Sequence, residues 1–500
     1  MNRRSFLRSS VAASVAATPI SQAYASLYSA LTTVNSDLAA VTGAGAEVSL
    51  ERAAVQELAD SLRGSLLLPG SDAYESARRV LNLSIDKHPA MVVQPTGVAD
   101  IQNAVTFARE RDLLLAVKCG GHHAAGKSTC DGGMQIDLSK FRNVRVDPAA
   151  QKAYVSGGSL LGEIDHETMA LGLVTTAGTV SHTGVGGLTL GAGFGRLARR
   201  YGLACDNVVG ADVVLANGSL VHVSPEENAD LYWGIRGGGG NFGVVTSFEF
   251  GLHPMQRTVT GGEIIFPIER AKDVLRFYAE WSSEAPDELY ADAVAMQQAG
   301  QDSGVIMIHV CHSGTPEQAE KDLAPLQKIG KPIANGIGPI DYVTIQSSWD
   351  STDPRNVGTY LKSGFINEFP QDLADRVADG IELDPNRDTM LFFQQSGGAI
   401  GRVPADATAF AHRKSISNMF VTVSWPLDSD PEPHVNYIRR YWDTLKPNTD
   451  GWYTNEAGDE DSAESVNANY QGNYERLLTL KNRYDPTNLF RLNANITPTV

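Results

Sequence analysis

Apolar and polar positions change their period several times along this chain. Within residues 51–68 the apolar side chains Ala54, Val55, Leu58 and Leu62 keep the spacing of one helix face, and residues 26–84 as a whole read as mostly helical. Residues 85–255 read differently. Val92 and Val93 ahead of Pro95 predict a strand, Ile101, Val105 and Ala108 mark one face of a helix, and the apolar run 113–117 predicts a buried strand. Alternation then sets in at Met134, Ile136 and Leu138, at Val144 and Val146, and over 154–156. Two short apolar runs, 213–215 and 220–222, flank Asn217-Gly218, a pair that favours the tight turn of a hairpin. Residues 242–250 place Val244, Thr246, Phe248 and Phe250 on one side of a further strand. Beyond residue 256, strands are predicted at 264–266, 305–310 and 419–425. In the last of these, Met419, Val421, Val423 and Trp425 alternate against Phe420, Thr422 and Ser424. Such strands suit a broad antiparallel sheet with one face covered by helices. A final helix is predicted over 470–484, stopped by Asp485-Pro486. The fold class expected is α+β.

Five hundred residues exceed one compact core, so at least two domains are expected. The formal charge is −17, and residues 1–25 hold three arginines and no acid, so the remainder carries −20. That balance excludes nucleic acid and anionic lipid as partners. The four cysteines, Cys119, Cys130, Cys205 and Cys311, form no CxxC pair, which removes a zinc or thioredoxin-type site; no metal is expected. A single Cys119–Cys130 bridge is open to the chain in an oxidising compartment, and buried free thiols are the alternative.

The N-terminus reads as an address. Asn2-Arg3-Arg4-Ser5-Phe6-Leu7-Arg8 is followed by a short apolar run over 11–17 and then Ala23-Tyr24-Ala25. The paired arginines resemble a twin-arginine signal over residues 1–25, a route that exports folded proteins to the periplasm or beyond. No stretch is long and apolar enough to span a bilayer.

Three glycine clusters stand out. The first is Lys118-Cys119-Gly120-Gly121-His122-His123-Ala124-Ala125-Gly126, after a buried strand. The second fills 177–195 and includes Gly178, Thr179, Val180, His182, Thr183, Gly184, Gly186, Gly187, Leu190, Gly193 and Gly195. The third is Arg236-Gly237-Gly238-Gly239-Gly240-Asn241-Phe242-Gly243. Glycine lets backbone N–H groups face a bound anion, and a diphosphate is the natural guest. Residues 238–243 match GxGxxG in form, but a strand pattern follows where a Rossmann motif needs a helix.

In this order, the clusters resemble those of the berberine-bridge-enzyme-like FAD-linked oxidases, of the vanillyl-alcohol-oxidase superfamily. The C-terminus adds Asn473-Tyr474-Glu475-Arg476-Leu477, then Lys481, then the run from Tyr484-Asp485-Pro486 through Asn493-Ala494-Asn495-Ile496. The resemblance covers nearly all of residues 80–500. It implies a PCMH-type FAD-binding domain of two subdomains over 85–255, preceded by an N-terminal part over 26–84. An α+β substrate domain follows over 256–445, and a segment over 446–500 returns to the FAD domain. It further implies an FAD bonded covalently to His122. The other groups implied around the cofactor are those named in the first two clusters, together with Asn241, Gly243, Val244, Val245, Asn493 and Asn495. Many relatives hold the flavin a second time through a cysteine, but that position here is Val180, so one covalent link is expected.

The cofactor implies removal of a hydride from a C–H bond beside O or N, with a base taking the accompanying proton and oxygen the electrons. The family's base is often a tyrosine near Tyr-x-Asn-Tyr. This chain reads Tyr453-Thr454-Asn455-Glu456, so Tyr453 and Glu456 are both candidates. Tyr453 needs a nearby cation to lower its pKa; Glu456 needs no such help. Gln394 and Gln395 resemble the substrate-side strand, and His412-Arg413 a structural pair. The leading expectation is oxidation of an alcohol, sugar or secondary-metabolite hydroxyl. Alternatives are amine oxidation or oxidative ring closure on the same scaffold, an NADPH-dependent reductase without covalent flavin, and a flavin-bearing binding protein. A small-molecule substrate and O2 are the partners expected.

Overall fold

Strands buried on both faces belong in the middle of parallel sheets. Met91–Gln94 and Met134–Asp137 are buried throughout, and Leu115–Lys118 at all but one position. In the computed structural model, which describes residues 32–350, 357–382, 384, 386–458 and 462–500, these strands form one sheet. Met134–Asp137 lies between the other two and runs parallel to both. Ser65–Leu67 adds an antiparallel edge. The helix Val98–Glu110 buries Ile101, Ala104, Val105 and Ala108, the face its period predicts, in the core of this unit.

A second, five-stranded antiparallel sheet has the order Leu220–Val223, Val208–Leu215, Gly243–Gly251, Lys152–Ser156, Val144–Asp147. The predicted hairpin is present. Val214 faces Leu220 across the turn, where Gly218 takes a φ of +82°, a region open to glycine at little cost. The long glycine stretch leaves this sheet between Lys152–Ser156 and Val208–Leu215.

The third layer is an eight-stranded, wholly antiparallel sheet built from residues 258–426. Its alternation separates two environments. Leu289, Ala291, Ala293, Ala295, Leu391, Phe393, Met419, Val421 and Val423 pack under the helices Ala271–Ser283, Leu373–Gly380 and Glu432–Leu445. Val294, Met307 and Phe392 face the other way and pack with Trp349. The C-terminal helix Tyr474–Tyr484 inserts Leu477 and Leu480 beside Trp233 and Phe242, and Leu489 and Phe490 reach the core of the first sheet.

One expectation is corrected. Residues 38–84 are not mostly helical: Leu38–Val41 and Glu47–Leu50 pair as a hairpin, and the helix ends at Ser61. Its buried positions, Val55 and Leu58, are those predicted. The continuation to residue 68 fails because Ser65–Leu67 gains backbone partners on Met91–Gln94. Gly64 sits so close to that strand that a Cβ there would lie 2.1 Å from the Gln94 carbonyl oxygen. Of the two readings left open for Cys119 and Cys130, the structure has the free thiols, as it does at Cys205 and Cys311. The export segment and the acidic run 459–461 lie outside the described residues. Among the described residues no helix is long and apolar enough to cross a membrane.

The C-terminal segment is fastened by a fully buried ion pair. Lys481 Nζ donates to Asp485 Oδ2 at 2.7 Å and to the carbonyls of Asn241 and Phe490 at 2.9 Å, while Asp485 accepts from the Leu489 and Phe490 N–H groups. Removing one partner strands the other charge away from water. Asp485→Ala is expected to cost about 3–5 kcal/mol and lower the thermal midpoint in a calorimetric scan. A Lys481→Met/Asp485→Asn double variant should recover part of the loss.

Candidate active site

Where the three sheets meet they enclose a cavity of about 840 Å³. The first glycine cluster forms one wall. Gly120 lies against Gly184 of the long loop so closely that a Cβ on either would stand 2.3 Å from the other's backbone nitrogen. His122 follows and lines the cavity. Its Nε2 is 2.7 Å from His182 Nδ1, and its Nδ1 is 3.3 Å from Thr183 Oγ1. The long loop is held from behind by Leu161 N–H on Thr183 O, Gly162 N–H on Ser181 O and Val185 N–H on Ser159 O. From the third cluster, Gly239, Gly240 and Gly243 reach the cavity with Val244 and Val245.

The third sheet supplies the opposite end. Phe392 and Phe420 stack with ring centroids 5.0 Å apart, and Trp349 meets Phe392 edge-on. Met296, Met390 and Leu361 extend this apolar wall. Beside it stand Tyr453, Asn455 and Glu456 from the C-terminal segment. Asn418 Nδ2 donates to Glu456 Oε2 at 2.7 Å and to Gln394 Oε1 at 3.1 Å. Enclosure by protein pushes the Glu456 carboxyl up to about 7, against the stabilising bond from Asn418. Tyr453 has the opposite of the environment a base needs. Burial and then the Glu456 charge push its hydroxyl well above the usual range, while its oxygen accepts from Gly193 N–H at 3.0 Å and Asn455 Nδ2 at 2.8 Å. His123 also lines the cavity; burial, with Lys127 adding, drops its pKa to about 4.

The family model for an FAD binding domain matches residues 89–224, and the model described as berberine and berberine like matches residues 453–497. An FAD-linked oxidoreductase of Dictyostelium discoideum is 32% identical over 449 residues, covering 89% of this chain and 97% of its own. The chain belongs to the berberine-bridge-like FAD-linked oxidoreductases. A xylooligosaccharide oxidase of Thermothelomyces thermophilus is 29% identical over 481 residues, 90% of this chain and 96% of its own. The crystal structure of 6-hydroxy-D-nicotine oxidase from Arthrobacter nicotinovorans matches with a TM-score of 0.80 at 25% identity, covering 87% of this chain and 98% of that one. The oxidoreductase therefore binds FAD and acts as an FAD-dependent oxidase on this scaffold.

The cavity of this oxidase fits such a cofactor. Its glycine-lined wall leaves open space, with nothing beyond its own helix backbone and chain neighbours within 4 Å of where a Cβ on Gly187 would lie. Two lining side-chain oxygens, Ser128 Oγ and Asn493 Oδ1, are buried without a hydrogen-bond partner, as expected of groups that await a polar ligand.

Of the residues expected to touch FAD, Cys119, Gly120, Gly121, His122, His123, Gly178, Thr179, Val180, Thr183, Gly184, Gly186, Gly187, Leu190, Gly243, Val244, Val245 and Asn493 line the cavity. The others support it from behind. Lys118 points away, bonding Ala77 O and Arg79 O and pairing with Asp137 at 3.5 Å. Gly126 avoids Ile85, and Gly195 lies against the Ala177 carbonyl; in both places a side chain would clash. Gly193 serves Tyr453 through its N–H. Asn241 fastens the C-terminus through Ala494 O and Ile496 N–H, and Asn495 bonds Thr497 Oγ1. His182 stands behind His122. Gln395 is on the helix side, bonded to Ala291 N–H and Ser282 O, because neighbouring strand residues face opposite ways; only Gln394 reaches the cavity. His412 and Arg413 are structural: Arg413 makes two 2.7 Å bonds to Asp206, and His412 reaches Asn469 O. The sequence reading missed Asn418, Asn455, Trp349, Phe392 and Phe420. The odd-numbered/even-numbered split over 419–425 was the one available signal, since it set Phe420 on the face opposite the core.

The Gly120–Gly184 approach yields a direct expectation. Gly184→Ala forces the two loops apart at an overpacking cost of about 1–3 kcal/mol, so FAD affinity should fall roughly tenfold or more. Titration of the apoprotein with FAD, followed by flavin fluorescence, reads this directly.

Proposed function

We propose that this oxidase removes a hydride from a carbinol C–H of a small alcohol, sugar or secondary metabolite, with Glu456 as the base that takes the hydroxyl proton. One observation carries the reading: a cavity-lining carboxyl, held by Asn418, whose pKa of about 7 sits where a general base works best. FAD, when bound, supplies the two-electron acceptor and passes the electrons to oxygen as hydrogen peroxide. Asn418 orients Glu456 and Gln394 together, so a substrate hydroxyl that reaches one also meets the other. The stacked Phe392 and Phe420 with Trp349 give a flat substrate face something to lie on and keep water away from it. Tyr453 acts as a hydrogen-bonding support for the loop at Gly193.

His122 holds the flavin covalently in this reading, and it is the single link. Val180 occupies the place of the second tether, and Cys119, the cysteine that lines the cavity, has its thiol pushed up to about 11 by burial and is a poor nucleophile. The arginine pair at residues 3 and 4 supports export of the folded, loaded enzyme.

Two outcomes test the chemistry. Glu456→Gln is expected to bind FAD normally and to lose roughly 100- to 10,000-fold in the rate of flavin reduction by substrate. A base must be deprotonated to act, so wild-type reduction should rise with pH and level off above about 7, and the variant should show no such rise. Retention of full turnover by Glu456→Gln ends the assignment. For the tether, yellow colour should stay with the acid-precipitated wild-type chain and leave His122→Ala. For export, Arg3→Lys/Arg4→Lys should move the protein from the periplasmic to the cytoplasmic fraction of a bacterial host.

A further inference from the structure

The reach of His122 for His182 goes beyond what a tether requires. The two rings lie with centroids 4.8 Å apart, tilted by 37°, and with Nε2 of one 2.7 Å from Nδ1 of the other. Neither is loosely placed. His122 follows two glycines, the second at a φ of +71°, and the first of them is locked against Gly184. His182 sits in a turn closed by Thr183 N–H on Val180 O at 3.2 Å. Its neighbour Ser181 gives its N–H to Asp350 Oδ1 at 2.8 Å and its hydroxyl to Oδ2 at 2.5 Å, while Ser181 O accepts from Gly162 N–H. A side chain held this firmly at hydrogen-bond distance fixes the tautomer of its partner.

We infer that His182 is the positioning residue for covalent flavin attachment, the group that receives the proton His122 must release as it bonds to the cofactor. This rests on the covalent reading given above. With its hydrogen on Nε2, shared with His182 Nδ1, His122 keeps a lone pair on Nδ1, beside Thr183 at the cavity surface. Nδ1 forms a bond to the methyl carbon of the flavin's benzenoid ring, and that carbon loses one C–H bond. The C–H electron pair remains on the flavin ring, which is thereby reduced by two electrons. The methyl proton and the Nε2 proton leave, the latter to His182, and two protons are taken up by the reduced ring. Dioxygen then removes two electrons and two protons as hydrogen peroxide and restores the oxidised ring. Without an acceptor at Nε2 the imidazole would have to bond as a cation and shed its proton to water from a half-buried position.

The test uses full-length apoprotein, produced under riboflavin starvation and mixed with FAD. Uptake is followed by flavin fluorescence, and attachment by the mass of the intact chain. His182→Ala and His182→Gln are expected to take up FAD as wild type does and to attach it roughly 100-fold more slowly. Added imidazole should restore attachment in His182→Ala and do nothing for His122→Ala. Attachment at the wild-type rate in both His182 variants overturns the inference and leaves the covalent reading intact. So does a loss of FAD uptake in both variants that imidazole does not repair, since that marks a packing role. A wild-type chain that binds FAD and never gains its mass overturns the covalent reading itself, and this inference with it.

Discussion

The approach of two loop backbones at Gly120 and Gly184 is the constraint on which the active site depends. A methyl group on either residue would collide with the other's peptide nitrogen, so these loops meet only as glycine against glycine. That contact sets His122 against His182 and Thr183 and fixes one edge of the cofactor cavity. The long loop is anchored again at its far side. The buried Arg196 donates to Thr179 O and to Gln346 Oε1, and Gln346 in turn bonds Gly178 O and Asp165. Asp165 is so enclosed that burial lifts its carboxyl to about 7. Polar groups buried this deeply hold a loop in place only while all of them keep their partners.

The electrostatics of the cavity follow from the same enclosure. Burial works against charge at three groups that face it: His123 is kept neutral, the Tyr453 hydroxyl keeps its proton, and the Glu456 carboxyl is pushed up to about 7. Electrostatic interactions are stronger in such partly desolvated surroundings than in water. Glu456 is thus the cavity-facing carboxyl whose protonation state changes most readily near pH 7, and its position is set from outside the cavity by Asn418.

Much of the architecture was legible in the sequence because it follows from local period. The alternation over 419–425 and the Asn217-Gly218 hairpin both depend on near neighbours, and the structure has them. The error over residues 38–84 has the same root: helix spacing at Ala54, Val55 and Leu58 was real, but strand pairing with Met91–Gln94 is a distant contact that no local pattern shows. The glycine clusters announced close backbone approach without saying to what. Gly184 approaches another loop and itself lines the cavity, whereas Gly195 approaches the carbonyl of Ala177 and does not line it. Gln394 and Gln395 were indistinguishable by motif and were separated by the pleat of one strand. Asn418 was invisible because its partner, Glu456, lies 38 residues further on and in a different part of the fold.

Glu456, the proposed base, illustrates how the site is put together. Glu456 sits in a short turn of the C-terminal segment, with its N–H on Tyr453 O and its carbonyl accepting from Ser363 Oγ of the third sheet. Its carboxylate is held from that same sheet by Asn418. The segment itself is fastened to the FAD-binding cores through Leu477, Leu480, Leu489 and Phe490. The glycine loops therefore shape one end of the cavity, the third sheet shapes the other, and the C-terminal segment is clamped to both. Glu456 lies where that segment crosses from one to the other. The neighbours of Glu456 are held by the long glycine loop instead, Asn455 donating to Leu188 O and Tyr453 accepting from Gly193 N–H, so a displacement of the sheet relative to that loop would strain the 2.7 Å bond from Asn418. The placing of Glu456 is thus a property of how the layers are joined, and the buried Lys481–Asp485 pair, which fastens the same C-terminal segment, belongs to that design.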